Sequence, residues 1–163
     1  MEKRRAIYPG SFDPVTFGHL DIIKRARQIF DSVHIFVAVN ADKQPLFTID
    51  ERVAFIRKAV RKMPGVSVEA MDGLTVHYAL KSKAATIIRG LRATSDFDYE
   101  FQMALTNRTL SRKVDTLFLM PSESHFYISS RLIKEIAMLK GDISNFVPPY
   151  VAEQIYKRLR QKQ

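Results

Sequence analysis

The chain contains no cysteine. That excludes disulfides, thiolate nucleophiles and cysteine-ligated zinc, and it suits an intracellular, cytoplasmic protein. Long hydrophobic runs are missing as well. The longest, such as Ile35 to Val39, fall far short of the roughly 20 residues that span a bilayer, so no membrane association is expected. The charged start at Glu2, Lys3, Arg4 and Arg5 has no apolar stretch behind it, and no signal peptide is expected. There is no internal repeat, low-complexity tract or linker. Neither Gly-x-x-x-x-Gly-Lys-[Ser/Thr] nor Gly-x-Gly-x-x-Gly occurs, which leaves a P-loop and a dinucleotide cofactor without support. No zinc finger and no aromatic RNP strand is present, so a nucleic-acid partner is not expected.

What is present is ordinary for one globular domain over residues 1–163, with 46% hydrophobic and 26% charged residues. The charge is not balanced: 26 Lys and Arg face 17 Asp and Glu, giving +9. Such a chain attracts anions, whether nucleic acid, acidic lipid or phosphorylated metabolites. A solvated basic surface explains the same number. Much of the surplus lies at the ends, at Lys3, Arg4 and Arg5 and at Lys157, Arg158, Arg160 and Lys162. The last four also suit the C-terminal dipole of a final helix.

Short apolar runs alternate with longer amphipathic ones. Strands are expected at 5–8, 33–39, 66–70, 86–89 and 116–120, and helices at 19–30, 74–83 and 96–110. In the first helix Ile22, Ala26, Ile29 and Phe30 share a face. Thr48-Ile49-Asp50-Glu51 forms a capping box for a helix with Val53, Ile56, Val60 and Met63 inward, stopped by Pro64-Gly65. Ser130 can cap a helix to Lys140 with Leu132, Ile136 and Leu139 inward. Pro148-Pro149 opens the last helix, with Ala152, Ile155 and Leu159 inward. This alternation predicts an α/β fold: a Rossmann-like, doubly wound, five-stranded parallel sheet with helices on both faces. Ligands of such sheets bind beyond the carboxyl ends of the strands, near the switch in strand order. That directs attention to loops 9–18, 40–47, 71–74, 89–95 and 121–129.

In the first loop, two prolines and two glycines constrain the path from Pro9 to His19. Gly18 admits close approach to the backbone, and His19 lies in the first turn of a helix, where N–H groups and dipole favour an anion. Ser11 can donate from the strand end. Alternatively, Thr16 is a plain N-cap and His19 a surface histidine. Arg89 and Arg92 flank Gly90-Leu91 and read as a phosphate clamp, or as ion pairs with Asp96, Asp98 or Glu100. Ser129 and Ser130 open a helix as polyphosphate donors or as a simple cap. His34 and His77 receive no catalytic role.

Thr16-x-Gly18-His19 at the first strand-to-helix turn resembles the signature of class I nucleotidyltransferases, whose wider form is His-x-Gly-His. Five blocks taken in order resemble one family within that class, the bacterial phosphopantetheine adenylyltransferases. They are Pro9-Gly10-Ser11-Phe12-Asp13-Pro14 through Gly18-His19, Arg89-Gly90-Leu91-Arg92, Asp96-Phe97-Asp98-Tyr99-Glu100, Ile128-Ser129-Ser130 and Phe146-Val147-Pro148-Pro149. The resemblance implies adenylyl transfer from ATP to 4′-phosphopantetheine in coenzyme A synthesis, and a homohexamer. It implies ATP contacts at Ser11, Phe12, His19, Gly90, Leu91, Arg92 and Glu100, and along His125, Phe126, Tyr127, Ile128, Ser129, Ser130 and Arg131. Ser11, Lys43, Leu74, Thr75 and Arg89 would meet the acceptor, with Leu74 and Thr75 beside its pantetheine arm. His19, Lys43 and Arg92 would stabilise charge on the α-phosphate and leaving group. The family usually has a third serine where Arg131 stands, and often an aromatic residue where His125 stands. Mg²⁺ is expected to arrive with ATP, because no carboxylate cage is visible in the sequence. The alternatives are a nicotinamide or nicotinate mononucleotide adenylyltransferase, another small-acceptor nucleotidyltransferase, or a basic nucleic-acid-binding module.

Overall fold

A computed structural model describes residues 3–39, 44–91 and 94–161. Its five strands are β1 (Arg5–Gly10), β2 (Ser32–Ala38), β3 (Val66–Met71), β4 (Thr86–Gly90) and β5 (Asp115–Leu119). They form one parallel sheet in the order β3-β2-β1-β4-β5. Six helices connect and cover them: α1 (Phe17–Ile29), α2 (Ile49–Val60), α3 (Thr75–Lys81), α4 (Thr94–Leu110), α5 (Ser130–Met138) and α6 (Pro149–Arg160). The strand order reverses between β1 and β4.

Alternation along the strands divides the core. Ala6, Tyr8, Val33, Ile35, Val37 and Ile88 face a large cluster with buried residues of α1, α2, α5 and α6. Ile7, Phe36, Ile87 and Met71 face a smaller one with Val76 and Ala79 of α3. Both faces of β1 are therefore dry, as expected for a central parallel strand.

Local signals set the helix starts. Thr48 Oγ1 accepts from the Glu51 N–H at 3.2 Å, and Glu51 accepts from the Thr48 N–H at 2.8 Å, so the capping box read in the sequence forms. Gly65 turns the chain into β3 with φ 76°. A Cβ there would lie 2.8 Å from the Asp31 carbonyl oxygen, so the position requires glycine for both reasons.

Two helix faces differ from expectation. The cap of α5 is Ser129, whose Oγ accepts from the Leu132 N–H at 3.0 Å. The helix presents Ile133 and Ala137 to the core. Leu132 and Leu139 are 42% and 84% exposed, against the sequence expectation, and Ile136 is partly buried. The helix offers two adjacent apolar stripes, Leu132–Ile136–Leu139 and Ile133–Ala137, and the core takes the second. In α1 the buried residues are Leu20, Ile22, Ile23 and Ala26, and Ile29 is 39% exposed, because the helix ends there. In α6, Val151 and Ile155 are the buried pair, with Ala152 and Leu159 partly covered.

The α5 register predicts an asymmetry between neighbours. Ile133→Ala should cost roughly 2–5 kcal/mol through loss of buried surface and a residual cavity, whereas Leu132→Ala should cost less than about 1 kcal/mol. Urea denaturation of both variants tests this, and equal losses would contradict the inward face seen for α5.

Candidate active site

Where β1 and β4 part, a cleft of about 470 Å³ opens at their carboxyl ends. Tyr8, Pro9 and Gly10 of β1 and Ile87, Arg89 and Gly90 of β4 form its base, with Ser11, Phe12, Thr16, Gly18 and His19 along one wall. The far wall is α4, through Tyr99, Glu100, Met103, Ala104 and Asn107, and Thr75 and Ile128 close the sides.

The first loop is shaped by aromatic packing. A Cβ on Gly10 would lie 3.0 Å from the Phe12 ring, so glycine makes room for that ring. Phe12 adopts φ 46° and buries its ring edge-on to Tyr8 at 5.3 Å and to His19 at 4.9 Å. The Asp13–Pro14 peptide is cis.

Thr16 is the N-cap of α1, and His19 completes a reciprocal box. The His19 N–H donates to Thr16 Oγ1 at 3.3 Å, and the Thr16 N–H donates to His19 Nδ1 at 3.1 Å. The imidazole takes the part that glutamate plays in the usual capping box. With Nδ1 accepting, the neutral ring carries its proton on Nε2. The cap and the donor role weighed separately in the sequence are thus compatible in one arrangement, because the cap orients the ring at the edge of the cleft.

Arg89 and Glu100 are paired. Arg89 Nε and Nη2 donate to the two carboxylate oxygens at 2.6 and 2.5 Å, and Nη1 donates to the Pro9 carbonyl at 2.8 Å. Burial disfavours the Arg89 charge, but the bonds and charge of Glu100, with smaller contributions from Tyr8 and Tyr99, outweigh it and hold its pKa above the ordinary value. Three of the five guanidinium N–H groups are engaged in these bonds.

A second network lies behind the first loop. Asp13, 7% exposed, accepts from the Leu46 and Phe47 N–H groups at 3.0 Å each and from Lys134 Nζ at 2.7 Å. Arg52, 4% exposed, donates through Nη1 to the Ser11 carbonyl at 2.8 Å and the Ala38 carbonyl at 3.2 Å, and through Nε to the Thr48 carbonyl at 3.3 Å. Burial lowers its pKa, with the charge of Asp13 acting in the other direction. Ser130 Oγ donates to the Pro14 carbonyl at 2.7 Å.

These observations bear on chemistry through the company the chain keeps. The cytidylyltransferase-like family profile matches residues 7–136. A phosphopantetheine adenylyltransferase of Caldanaerobacter subterraneus subsp. tengcongensis is 51% identical over 97% of this chain and 99% of its own. One from Legionella pneumophila (strain Lens) is 50% identical over 98% and 94%. One from Synechococcus elongatus is 49% identical over 93% and 91%. The chain belongs to the phosphopantetheine adenylyltransferase family. A crystal structure from Vibrio parahaemolyticus, described as a candidate nicotinate-nucleotide adenylyltransferase, superposes with TM-score 0.69 over 99% of this chain and 98% of its own at 21% identity. At that identity it speaks to the fold alone.

Of the residues suggested by resemblance to this family, Ser11, Phe12, His19, Thr75, Arg89, Gly90, Glu100 and Ile128 converge on the cleft. Leu91 follows Gly90, half-buried, its N–H on the Leu119 carbonyl at 3.0 Å. Leu74, half-exposed, is the N-cap residue of α3. His125 Nδ1 bonds Ser122 Oγ at 2.7 Å, with its ring 6.2 Å from that of Phe17. Phe126 packs edge-on against Tyr127, which is 80% exposed. Ser130 and Arg131 line a neighbouring depression together with Ser11, Asp13, Arg52 and Lys134. Lys43 and Arg92 lie outside the described residues.

Sequence reasoning missed Asp13, Arg52, Lys134 and Asn107. For Asn107 a signal existed: Tyr99, Met103 and Asn107 recur every four residues on one face of α4. For the Asp13 set there was none, because its partners are 33 to 121 residues away.

Glu100→Gln should keep one acceptor for Arg89 but remove its counter-charge and second acceptor, and destabilise the free protein by roughly 1–3 kcal/mol, the scale of a lost hydrogen bond to a charged group. A thermal melt without ligand tests this, and an unchanged midpoint would mean that the pair contributes nothing to stability.

Proposed function

We propose that this protein transfers the adenylyl group of ATP to 4′-phosphopantetheine, forming dephospho-coenzyme A and pyrophosphate. The observation that carries the reading is about half identity, over nearly the full chain, to proteins named for that activity. The cleft is suited to it. A phosphate oxygen of the acceptor is already anionic and needs no general base. It attacks the α-phosphorus in line, the bond to the bridging oxygen breaks, and pyrophosphate leaves with that electron pair. The protein's work is alignment and charge neutralisation.

His19 would donate from Nε2 to an α-phosphate oxygen whose charge grows in the transition state. Arg89, with three donors engaged by Glu100 and Pro9, would direct the other two to the acceptor phosphate. Lys43 and Arg92 belong to the same reading through family resemblance. The uncharged pantetheine arm would lie along Thr75 and the Tyr99–Met103–Asn107 face of α4. Gly90, Leu91 and the segment from His125 to Arg131 would hold ATP. Mg²⁺ would come with the polyphosphate and neutralise part of its charge. No three of the described His, Asp and Glu side chains stand close enough to hold a metal ion, so no protein ligand is assigned to it.

A homo-oligomer, by resemblance a hexamer, belongs to this reading. Phe97, Phe101 and Leu105 are 41%, 46% and 50% exposed on α4, spaced by four on the side away from Asn107. Phe97 and Phe101 stack at 5.6 Å. A further copy of the chain covering this stripe would remove it from water. Sedimentation of wild type and Phe101→Glu tests this: assembly in the first and its loss in the second are expected, and a monomeric wild type would reject it.

The activity is tested by pyrophosphate release with ATP, Mg²⁺ and 4′-phosphopantetheine, with nicotinate mononucleotide as a parallel acceptor. Release with the pantetheine acceptor alone is expected. Release with the mononucleotide alone would overturn the substrate. His19→Ala should lower kcat by about 100-fold or more, the scale of one lost transition-state donor, with ATP affinity little changed. A folded variant with full kcat would reject the role of His19.

A further inference from the structure

Around the cleft, three segments meet that share no secondary structure: the first loop, the stretch following β2, and the start of α5. We propose that Asp13 is the positioning residue that holds these three segments in one arrangement, with Lys134 and Arg52 as its charge partners. The inference rests on the adenylyl-transfer reading for what the arrangement is for, but not for its geometry.

The placement of the carboxylate argues for this. Asp13 sits in the first loop, six residues before His19. Its two oxygens take the consecutive N–H groups of Leu46 and Phe47, each at 3.0 Å. Lys134, one helical turn beyond Ser130, reaches the same carboxylate at 2.7 Å. Arg52 closes the circuit from the other side. Its Nη1 bridges the Ser11 carbonyl of the first loop and the Ala38 carbonyl at the end of β2. Ser130 Oγ adds a direct bond from α5 to the first loop at Pro14.

Physical cost makes the arrangement informative. Burying the Asp13 carboxylate and the Arg52 guanidinium, with Lys134 partly covered beside them, costs several kcal/mol per buried ion before compensation, and apolar side chains of similar volume often stabilise a fold equally well. Stability alone gives little reason for these charges here. What they supply, and apolar packing does not, is directional bonding between segments far apart in sequence. That is the requirement of a site whose catalysis depends on alignment, where a displacement near 1 Å can cost about 100-fold in rate. Asp13 itself faces backbone amides and Lys134, so it acts through the residues that it places.

The test compares Asp13→Asn with the double variant Asp13→Asn/Lys134→Met. In the single variant the two amides lose a full carboxylate and Lys134 is left without its counter-charge. In the double variant the unpaired charge is gone while the weakened hold on Leu46 and Phe47 remains. Both variants should fold, with kcat reduced about 100-fold and KM for ATP moved by less than about fivefold. The double variant should recover the melting temperature but not kcat. Hydrogen exchange at Leu46 and Phe47 should be faster in both variants than in wild type, with exchange in the central strands unchanged. Recovery of kcat together with melting temperature would overturn the proposal, because the loss would then belong to the stranded charge. A kcat near wild type in the folded single variant, or unchanged exchange at the two amides, would overturn it as well. If wild type itself transfers no adenylyl group, the functional reading fails, and the exchange measurement alone decides whether Asp13 holds the segments.

Discussion

Two adjacent parallel strands that send their chains to opposite faces cannot both be capped by the same helix. From β1 the chain passes into α1, on the face of the large core. From β4 it passes into α4, beside α3 on the other face. The gap between the two departures is a consequence of connectivity and needs no special sequence to open it. What the sequence must do is line that gap without collapsing it. It does so with backbone-shaping residues on the β1 side, Gly10 and Phe12 above all, and with a partly buried ion pair on the β4 side, Arg89 with Glu100. The Arg89 bond to the Pro9 carbonyl ties the two strand ends across the gap. A polar side chain therefore spans the place where sheet hydrogen bonding between β1 and β4 gives out; their paired register covers only Ala6 with Thr86 and Ile7 with Ile87.

The described charges that line the cleft and its neighbouring depression are already engaged before any ligand arrives. Arg89 is matched by Glu100, and Asp13 by Lys134 with Arg52 nearby. An unmatched cluster of cations would bind phosphate more strongly, but it would also repel itself in the free protein and relax away from the geometry needed. Holding these cations on carboxylates or, for Arg52, on backbone carbonyls keeps the side chains in place at the expense of some attraction. Charge held in place in advance is what a reaction driven by alignment requires.

The features legible in the sequence were those encoded locally. Strand and helix alternation, the capping box at Thr48, the Gly65 stop and the first-loop prolines each act over a few residues, and the five-stranded parallel sheet followed from them. The inward face of α5 was misread because Leu132, Ile136 and Leu139 form an apolar stripe beside that of Ile133 and Ala137, and packing against the core rather than any local signal selects between them. The blocks from Pro9 to His19 and from Arg89 to Glu100 pointed to the cleft because each is contiguous. The Asp13 network was invisible for the opposite reason. An aspartate between Phe12 and Pro14 carries no mark of a lysine 121 residues away. Asn107 lay between these cases, with a helical stripe that could have been followed from Tyr99.

Arg131 bears on the start of α5. Its side chain is 89% exposed and bonds Glu135 at 2.9 Å. A cation in the first turn of a helix opposes the macrodipole, and the Glu135 carboxylate one turn on offsets part of that. Nearby, the Leu132 N–H is taken by Ser129 Oγ and the Ile133 N–H by the Ser129 carbonyl. The first-turn N–H groups not taken by Ser129 are those of Ser130 and Arg131. A polyphosphate placed there would meet these two N–H groups, the Ser129 hydroxyl as a donor, and a guanidinium free to swing from Glu135. Where the family usually has a serine, this chain would then hold the same anion with a full charge at longer reach. An anion bound there would also relieve the conflict between Arg131 and the helix dipole.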